Sequence, residues 1–440
     1  MVRVNGGSFV LWGDICYSLN PHRLCGVKDG YLVCRDGVCA GVFDQLPTQY
    51  ADLPVIDRRG RLVIPGLVDL HIHAPQYAFR GLGMDLELLD WLDTNTFPEE
   101  ARYRDLDYAV RAYDIFAEDL RWGPNTRACI FATAHTDATL LLMDRMEATG
   151  LVSLVGRVNM DRNCPENLRE PDPDTAAAET VRWLEQAAGR YQRTGPILTP
   201  RFIPSCTDAL LSRLGEIRKE YDLCVQSHLS ENRGEVEWVG QLCPDAPFYG
   251  AAYDSFGLFG GDHRCIMAHC VLSEEEELDL MKQRGVFVAH CPQSNENLAS
   301  GIAPVRRYLE QGLQVGLGSD VAGGTTPSIF RAMADAIQVS KLRWRLQDQS
   351  LAPLTLPEAF WLGTAGGGAF FGQVGRFAPG YELDALVLDD SRLRSPWPLT
   401  VEQRLERMVY LGEDRDITDK FVRGVEIFSR PAGKPLHPGP

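Results

Sequence analysis

Residues 62–73, LVIPGLVDLHIH, carry the strongest indication of the fold. The run is apolar on both of its alternating faces, which is typical of a strand buried within a parallel sheet. It ends in the pair His71 and His73. Residues two apart on a strand point to the same face, so both imidazoles can approach one metal ion. We therefore predict a buried strand whose end can bind a metal.

Further apolar runs follow this strand, separated by longer amphipathic stretches. This alternation is typical of repeated βα units around a parallel sheet. The predicted strands are LVGRVNM (154–160), ILTPRFI (197–203), CVQSHLS (224–230), CIMAHC (265–270), VFVAHC (286–291) and VGLGSD (315–320). Together with the first run they predict an α/β fold built on a (β/α)8 TIM-type barrel.

The two ends of the chain have a different pattern. Up to about residue 60, the runs SFVLWG, YLVCRDG and VCAGVFD are separated by Gly and Asp-Gly turns, which predicts a small antiparallel β unit. After residue 380, YELDALVLDD and KFVRGVEIFSR return to strand character, and the tail KPLHPGP is expected to fray. We predict a barrel over residues 66–375 and a composite β-sandwich domain formed by residues 1–65 and 376–440.

One helix can be recognised from both of its ends. Ser273 can cap its start, and residues 274–277 put four glutamates into the positive first turn. Gly285 can end it in a left-handed conformation. We interpret the glutamates as a solvent-exposed helix start and not as a metal site.

The composition favours a soluble protein that acts on a small ligand. Hydrophobic residues make up 45% of the chain and charged residues 24%, which is ordinary for a globular protein. The net charge of −16 disfavours binding to nucleic acids or anionic membranes, because like charges repel. The first residues lack the pattern of a secretion signal, and no run is long enough to span a bilayer. Twelve cysteines without C-x-x-C spacing predict reduced cytoplasmic thiols.

Four of the nine histidines stand at the ends of predicted strands, where active sites of barrels are built. With one aspartate they form the candidate metal ligands His71, His73, His228, His269 and Asp320. Four neutral nitrogens and a carboxylate suit zinc or iron and leave room for an activated water. A lone H-x-H pair is a weak indication, because a histidine at a strand end is more often a satisfied polar residue. The ordered series H-x-H, H-x-x-E, A-H and S-D is much more specific.

Glu231 follows His228 by three residues, just past a predicted strand end. A carboxylate in that loop can turn toward the metal cavity and act as general acid and base. The alternative is a surface glutamate beside Asn232 and Arg233, which the spacing alone does not exclude.

Several of these motifs, taken in order, resemble the amidohydrolase superfamily and specifically its deaminase branch. They are PGLVDLHIHAPQ (65–76), SHLSEN (227–232), AHC (268–270), HCPQSN (290–295) and LGSDVAGGTT (317–326). More narrowly, HIHAPQY (71–77), DLELLDWLDTNTFPEEARY (85–103), TPRF (199–202) and SDVAGG (319–324) are similar to guanine deaminases. The W-L-x-x-x-T-F-P stretch and TPRF discriminate best, because several deaminases share the metal motifs.

The resemblance implies hydrolysis of guanine to xanthine and ammonia by a metal-activated water. It implies one zinc ion per chain, with iron as an alternative, held by the five candidate ligands. Glu231 becomes the proton shuttle and Asp320 a second catalytic carboxylate. A homodimer is also implied. The implied contacts to the base are Gln76, Arg201 and Phe202, joined by Trp91 and by His290, for which a purely structural role is equally open.

Amide, guanidinium and aromatic groups suit a purine, because they offer hydrogen bonds to its edge and a face for stacking. The segment RWGPNTRACIF, residues 121–131, departs from the family pattern, and we predict a helix end followed by a strand there. No chemical residue is lost by this departure.

Three alternatives remain open at this stage. Another deaminase or chlorohydrolase of the superfamily would act on cytosine, an adenosine-like compound, 8-oxoguanine or a triazine. A two-metal hydrolase would need a bridging modified lysine, and no predicted strand ends in lysine. An inactive scaffold need bind no metal, whereas an active deaminase should bind about one ion per chain.

Overall fold

The computed structural model describes residues 7–430, so the tail predicted to fray lies outside the described residues. The strands are β1 Phe9–Asn20, β2 Arg23–Arg35, β3 Val38–Phe43, β4 Val55–Pro65, β5 Leu67–His73, β6 Asn125–Phe131, β7 Val152–Gly156, β8 Val158–Asn159, β9 Thr194–Pro196, β10 Thr199–Pro200, β11 Val225–Leu229, β12 Cys265–His269, β13 Phe287–His290, β14 Gln314–Leu317, β15 Ala385–Leu388, β16 Ile417–Val422 and β17 Val425–Ser429.

Helices alternate with the strands through the middle of the chain. They are α1 Leu88–Trp91, α2 Phe97–Ala101, α3 Leu106–Trp122, α4 Thr136–Thr149, α5 Pro173–Ala187, α6 Asp208–Glu220, α7 Arg233–Leu242, α8 Tyr249–Ser255, α9 Glu275–Arg284, α10 Pro292–Asn297, α11 Val305–Gln311, α12 Ile329–Leu346, α13 Leu356–Trp361 and α14 Val401–Leu411. Two π-helical turns, Leu92–Thr96 and Leu362–Gly366, extend α1 and α13. Within the described residues, no helix is both long and apolar enough to cross a membrane.

The first four and the last three strands share one seven-stranded sheet, in the order β17-β16-β15-β4-β1-β2-β3. The hairpins β1–β2 and β2–β3 are antiparallel, as predicted for these three runs, whereas β4 pairs with β1 in parallel. Strands β15 and β16 pair with each other, and β15 pairs with β4. The end of the chain therefore returns to the sheet that the beginning forms.

The middle of the chain forms two four-stranded parallel sheets, β5-β6-β7-β9 and β11-β12-β13-β14, with a parallel pair β8–β10. All of the pairings within these sheets are parallel. Strand β5 is buried at every position, as a strand covered on both faces should be. The prediction of an α/β fold with parallel sheets is confirmed.

We expected the run 62–73 to form one strand, and this prediction is wrong. The run contains the end of β4 and the whole of β5, which lie in different sheets. The chain changes sheet at Gly66, where an added Cβ would lie 2.3 Å from Thr126 Oγ1. Only glycine fits such a close approach. The hydrophobic pattern runs through the break because both strands are buried.

The predicted strand at residues 197–203 is mostly absent. Strand β9 ends at Pro196, and only the two residues of β10 pair with β8. Pro200 has no N–H to donate to a ladder, so TPRF leaves the sheet and runs past the strand ends.

The segment 121–131 is as predicted, because α3 ends at Trp122 and β6 begins at Asn125.

The expected helix with the glutamate start is α9, and it differs in two details. Its N-cap residue is Glu274 and not Ser273, whereas Gly285 ends it with a φ of 66°. Glu277 is only 2% exposed and accepts from Ser230 Oγ at 2.9 Å and the Gly250 amide at 2.7 Å. The prediction that all four glutamates face solvent is wrong for Glu277, because donors distant in sequence surround it.

A buried ion pair joins the seven-stranded sheet to the parallel sheets. Arg127 of β6 donates through Nε to Asp384 Oδ2 at 2.6 Å, and neither residue is more than 2% exposed. Its NH2 group donates to Glu382 at 2.6 Å. Because a buried charge without its partner is very unfavourable, this pair should matter for stability.

We expect Asp384→Ala to lower the free energy of unfolding by about 3 kcal/mol, because Arg127 loses its buried partner and keeps only Glu382. The matched control is Asp174→Ala, which breaks an exposed ion pair with Arg213 and should leave stability unchanged. Urea unfolding followed by tryptophan fluorescence measures both. Equal stability of the two variants would contradict the prediction.

Candidate active site

All five candidate ligands meet at the carboxyl ends of the parallel strands. The Nε2 atoms of His71 and His73 lie 3.2 Å apart, and those of His73 and His228 lie 3.3 Å apart. Asp320 Oδ1 is 3.1 Å from His71 Nε2 and 3.4 Å from His73 Nε2. His269 Nε2 lies 3.6 Å from Asp320 Oδ2. The structure thus brings together side chains that are up to 249 positions apart in the sequence.

These distances fit a shared metal ion. With bonds of roughly 2.0–2.1 Å from zinc to nitrogen, neighbouring ligand atoms around one ion lie about 2.8–3.6 Å apart for bond angles between about 90° and 120°. The ligand atoms of His71, His228 and His269 all lie within 4.8 Å of one another, as do those of His71, His73 and Asp320. Imidazole nitrogens and a carboxylate oxygen are ordinary ligands of zinc and iron.

Hydrogen bonds on the far side of two imidazoles orient them. His228 Nδ1 donates to the Arg201 carbonyl at 2.7 Å, and His269 Nδ1 lies 2.8 Å from Asn295 Oδ1. A proton on Nδ1 leaves the Nε2 lone pair free for a metal. Burial also lowers the pKa of His73 to about 4 and that of His228 well below 6.5. Both rings are therefore neutral, which is the form that binds metals.

Asp320 stays ionised in this buried site. Burial alone would raise its pKa, but the neighbouring His71, His73 and His269 outweigh that effect and hold the pKa well below 3.8. An ionised carboxylate can bind a cation and can also accept a proton from a nearby water.

The backbone around the ligands is held in an unusual conformation. Ser230, His269, Cys270 and Asp320 all have positive φ angles, of 48°, 73°, 52° and 47°. Residues other than glycine rarely adopt this region, and such strain is concentrated at functional sites. Here it turns the chain sharply at strand ends, so that the side chains point into one space.

Glu231 lies beside the ligands and not on the surface. It is 3% exposed, its Oε2 atom is 3.4 Å from His269 Nε2, and its Oε1 atom accepts from Ser300 Oγ at 3.2 Å. Burial, with the charge of Asp320, raises the pKa of Glu231 well above 4.5. A carboxyl group with a raised pKa holds a proton more readily and can pass it on to a substrate.

Glu235 holds the backbone of this loop. Its Oε2 atom accepts from the amide of Glu231 at 3.0 Å, and its Oε1 atom accepts from Tyr249 OH at 2.7 Å. Glu235 itself is 1% exposed and also lines the cavity. Glu235 follows Glu231 by four residues, but the sequence analysis did not identify it as a site residue.

A cavity opens over these groups, with about 420 Å³ of empty space that includes solvent at its open side. Four of the predicted base-binding residues, Gln76, Trp91, Arg201 and Phe202, line it. Leu88, Leu92 and Leu298 add apolar lining that we did not predict from the sequence. The cavity thus offers a flat ligand both apolar surface and hydrogen-bonding groups.

His290 is placed differently from the other predicted contacts. It ends β13, is 1% exposed and is absent from the described lining of the cavity. Burial lowers the pKa of its imidazole to about 3. Neither ring nitrogen of His290 has a hydrogen-bond partner among the described residues, so direct contact with a ligand stays a prediction for this residue.

The two polar base-binding candidates share a partner that sequence reasoning missed. Glu100 Oε1 accepts from Gln76 Nε2 at 3.2 Å, and Glu100 Oε2 accepts from Arg201 at 2.6 Å. The Ala322 amide donates to Gln76 Oε1 at 3.2 Å. Glu100 belongs to the motif DLELLDWLDTNTFPEEARY, residues 85–103, which is similar to guanine deaminases. That segment was the signal that could have identified it.

The sequence model of the amidohydrolase family matches residues 62–427. This range includes every metal-ligand candidate, Glu231 and Glu100. The chain belongs to the amidohydrolase family. This amidohydrolase is 36% identical to the guanine deaminase of Dictyostelium discoideum, over 91% of this chain and 88% of that protein. It is 39% identical to the guanine deaminase of Homo sapiens, over 83% of this chain and 82% of that protein.

A solved structure is similar over nearly the whole amidohydrolase chain. It is that of the guanine deaminase from C. acetobutylicum with bound guanine in the active site. The TM-score is 0.93 at 44% sequence identity, and the match covers 96% of this chain and 100% of that chain.

Proposed function

We propose that this amidohydrolase is a guanine deaminase, which hydrolyses guanine to xanthine and ammonia. One observation carries the proposal: a histidine and aspartate cluster, a buried carboxyl group and two polar side chains line one cavity. The relatives named guanine deaminase, one of them with bound guanine, support the choice of substrate.

The parallel sheets are proposed to close into the (β/α)8 barrel of residues 66–375. Two sets of contacts support closure. Leu198 forms a parallel bridge with Val225, and the Asp320 amide donates to the His71 carbonyl at 2.8 Å. The bridge joins the segment that follows β9 to β11, and the hydrogen bond joins the segment that follows β14 to β5.

The described parts of the segments 1–65 and 376–440, which are residues 7–65 and 376–430, are proposed to form the composite β-sandwich. Support comes from a separate hydrophobic cluster in the seven-stranded sheet, which includes Phe9, Val63 and Phe421. Each of these three side chains is completely buried.

One zinc ion per chain, with iron as the alternative, is the proposed cofactor. His71, His73, His228, His269 and Asp320 would hold it, because their ligand atoms converge at distances that suit a metal site. When bound, the metal supplies Lewis-acid activation of a water nucleophile near neutral pH.

Two carboxyl groups would move the protons of the reaction. Glu231 takes a proton from the water and delivers it to N3 of guanine, which makes C2 more electrophilic. The water oxygen adds to C2, and Asp320 takes the remaining proton of that water. That proton passes to the exocyclic amine as the carbon–nitrogen bond breaks, so ammonia leaves and xanthine remains.

Gln76 and Arg201 would select the base. A guanidinium donates to two acceptors at once, and O6 and N7 of guanine are two acceptors along one edge. A 6-amino group is a donor, so adenine cannot pair with Arg201 in the same way. Phe202 and Trp91 supply apolar ring surface to the same cavity.

The decisive experiment incubates the purified protein with guanine, adenine, cytosine and 8-oxoguanine and follows ammonia release. We expect guanine to react with the highest kcat/KM, with about one metal ion per chain by elemental analysis. Ammonia release from another base, but not from guanine, would replace this proposal with that of a different deaminase. A protein without metal and without turnover would favour the inactive scaffold.

A cytoplasmic homodimer remains part of the proposal. It rests on the resemblance to guanine deaminases and, for the compartment, on twelve cysteines that are all free thiols. Light scattering during size-exclusion chromatography measures the oligomeric state directly.

A further inference from the structure

Glu100 is a buried carboxylate whose two oxygens serve two different binding residues. It lies in α2 and is 1% exposed. Its Oε2 atom pairs with Arg201 at 2.6 Å, and its Oε1 atom accepts from Gln76 Nε2 at 3.2 Å. Glu100 does not itself line the cavity, whereas both of its partners do. It can therefore act on a ligand only through them.

Arg201 depends on α2 for its position. Within residues 7–430, the Arg201 guanidinium makes a single hydrogen bond, which it donates to Glu100. The guanidinium also lies 5.0 Å from the centre of the Phe97 ring. Both contacts come from α2. A guanidinium has five N–H donors, so several remain for acceptors on a ligand.

Gln76 is fixed in one of its two amide orientations. Its nitrogen faces Glu100 and its oxygen accepts from the Ala322 amide. A carboxylate can only accept hydrogen bonds, so it selects the orientation in which Nε2 points toward it. A neutral amide at position 100 could donate as well as accept, and the Gln76 amide could then turn over.

The charge of Glu100 matters as much as its shape. Arg201 is 2% exposed, and a buried cation without a partner is strongly unfavourable. Glu100 neutralises it, so the cavity wall presents donors without a net charge. Such a wall suits a neutral base that carries acceptors.

We propose that Glu100 is a positioning residue that sets the preference of the cavity for a 6-oxopurine over a 6-aminopurine, by orienting Arg201 and Gln76. This inference rests on the proposed function and names a determinant of its substrate choice. In the native protein, donors are held toward the 6-position, where an oxo group pairs and an amino group leaves them unpaired. A site built in this way rejects the mismatched analogue strongly.

The test is Glu100→Gln, which keeps the size of the side chain and removes its charge. We expect KM for guanine to rise about 10- to 100-fold, the loss that fits one hydrogen bond between charged groups. We expect kcat to change by less than about threefold, because the metal cluster and Glu231 are untouched. Metal content should equal that of the wild type.

Binding without turnover provides the second readout. Hypoxanthine and adenine both lack the 2-amino group and differ at the 6-position, so neither reports on deamination of guanine. Calorimetry should find wild-type protein binding hypoxanthine much more tightly than adenine. In Glu100→Gln this preference should fall by about tenfold or more, and Glu100→Asp, which keeps the charge, should restore part of it.

Glu170→Gln is the matched control. Glu170 is 6% exposed and accepts from the buried Arg157 at 2.5 Å, but neither residue lines the cavity. Its loss should lower stability and leave KM and the hypoxanthine preference unchanged. If Glu100→Gln behaves like this control, Glu100 has only a structural role and the proposal is overturned.

Unchanged KM and unchanged preference in Glu100→Gln would overturn the proposal too. Failure of the proposed function has a different signature, since wild-type protein would then release no ammonia from guanine. The comparison of hypoxanthine with adenine would still decide the role of Glu100 in that case. An equal affinity of wild-type protein for the two bases would overturn the proposal.

Discussion

Glu231→Gln is expected to lower kcat for guanine about 10²–10⁴-fold, which is the range of general acid–base catalysis. Glutamine has the shape of glutamate but cannot take a proton from water and return it to a ring nitrogen. Glu231 is suited to this exchange because burial raises its pKa well above 4.5. Ser300 Oγ, 3.2 Å away, keeps the side chain in place.

Metal content should not change in this variant, because Glu231 is not one of the proposed ligands. Elemental analysis and steady-state rates of ammonia release, measured on the same preparation, separate the two effects. Glu170→Gln is a suitable control here as well, because it removes a buried carboxylate away from the cavity. Wild-type turnover in Glu231→Gln would remove Glu231 from the mechanism.

His71→Ala is expected to abolish metal binding and, with it, turnover. His71 is fully buried at the centre of the cluster, with Nε2 3.2 Å from His73 Nε2 and 3.1 Å from Asp320 Oδ1. Its ring also lies next to those of His228 and His269. We expect a loss of metal affinity greater than the roughly 100-fold seen when only a residue behind a ligand is removed.

Elemental analysis after dialysis against buffer without metal measures the occupancy directly. His263→Ala is the matched control, because His263 pairs with Asp222 away from the cluster and should not affect the metal. Full occupancy together with full activity in His71→Ala would disprove the proposed site.

Local pattern predicted most of the parallel strands and the convergence of the candidate ligands. Strands such as β11 and β12 were predicted from short apolar runs, and His228 and His269 stand where those runs end. Parallel strands place their carboxyl ends at one edge. The position of a residue along its own strand was therefore enough to predict that these side chains meet.

Local pattern failed where the outcome depends on contacts between distant segments. Gly66 lies between two sheets at a point where Thr126 leaves no room for a Cβ, and nothing in residues 62–73 reveals Thr126. Glu277 is buried because Ser230 and Gly250 supply donors. His290 ends a strand as His269 does, yet it does not line the described cavity.

The sequence by itself determined which histidines and which aspartate converge at the strand ends, because strand periodicity and strand ends are properties of a few consecutive residues. Only the tertiary structure decided which groups line the cavity and how they are oriented. Glu100 and Arg201 are 101 residues apart, and their ion pair exists because the fold buries both charges together. A buried charge requires a partner, and the folded chain, not the local sequence, determines which partner is within reach.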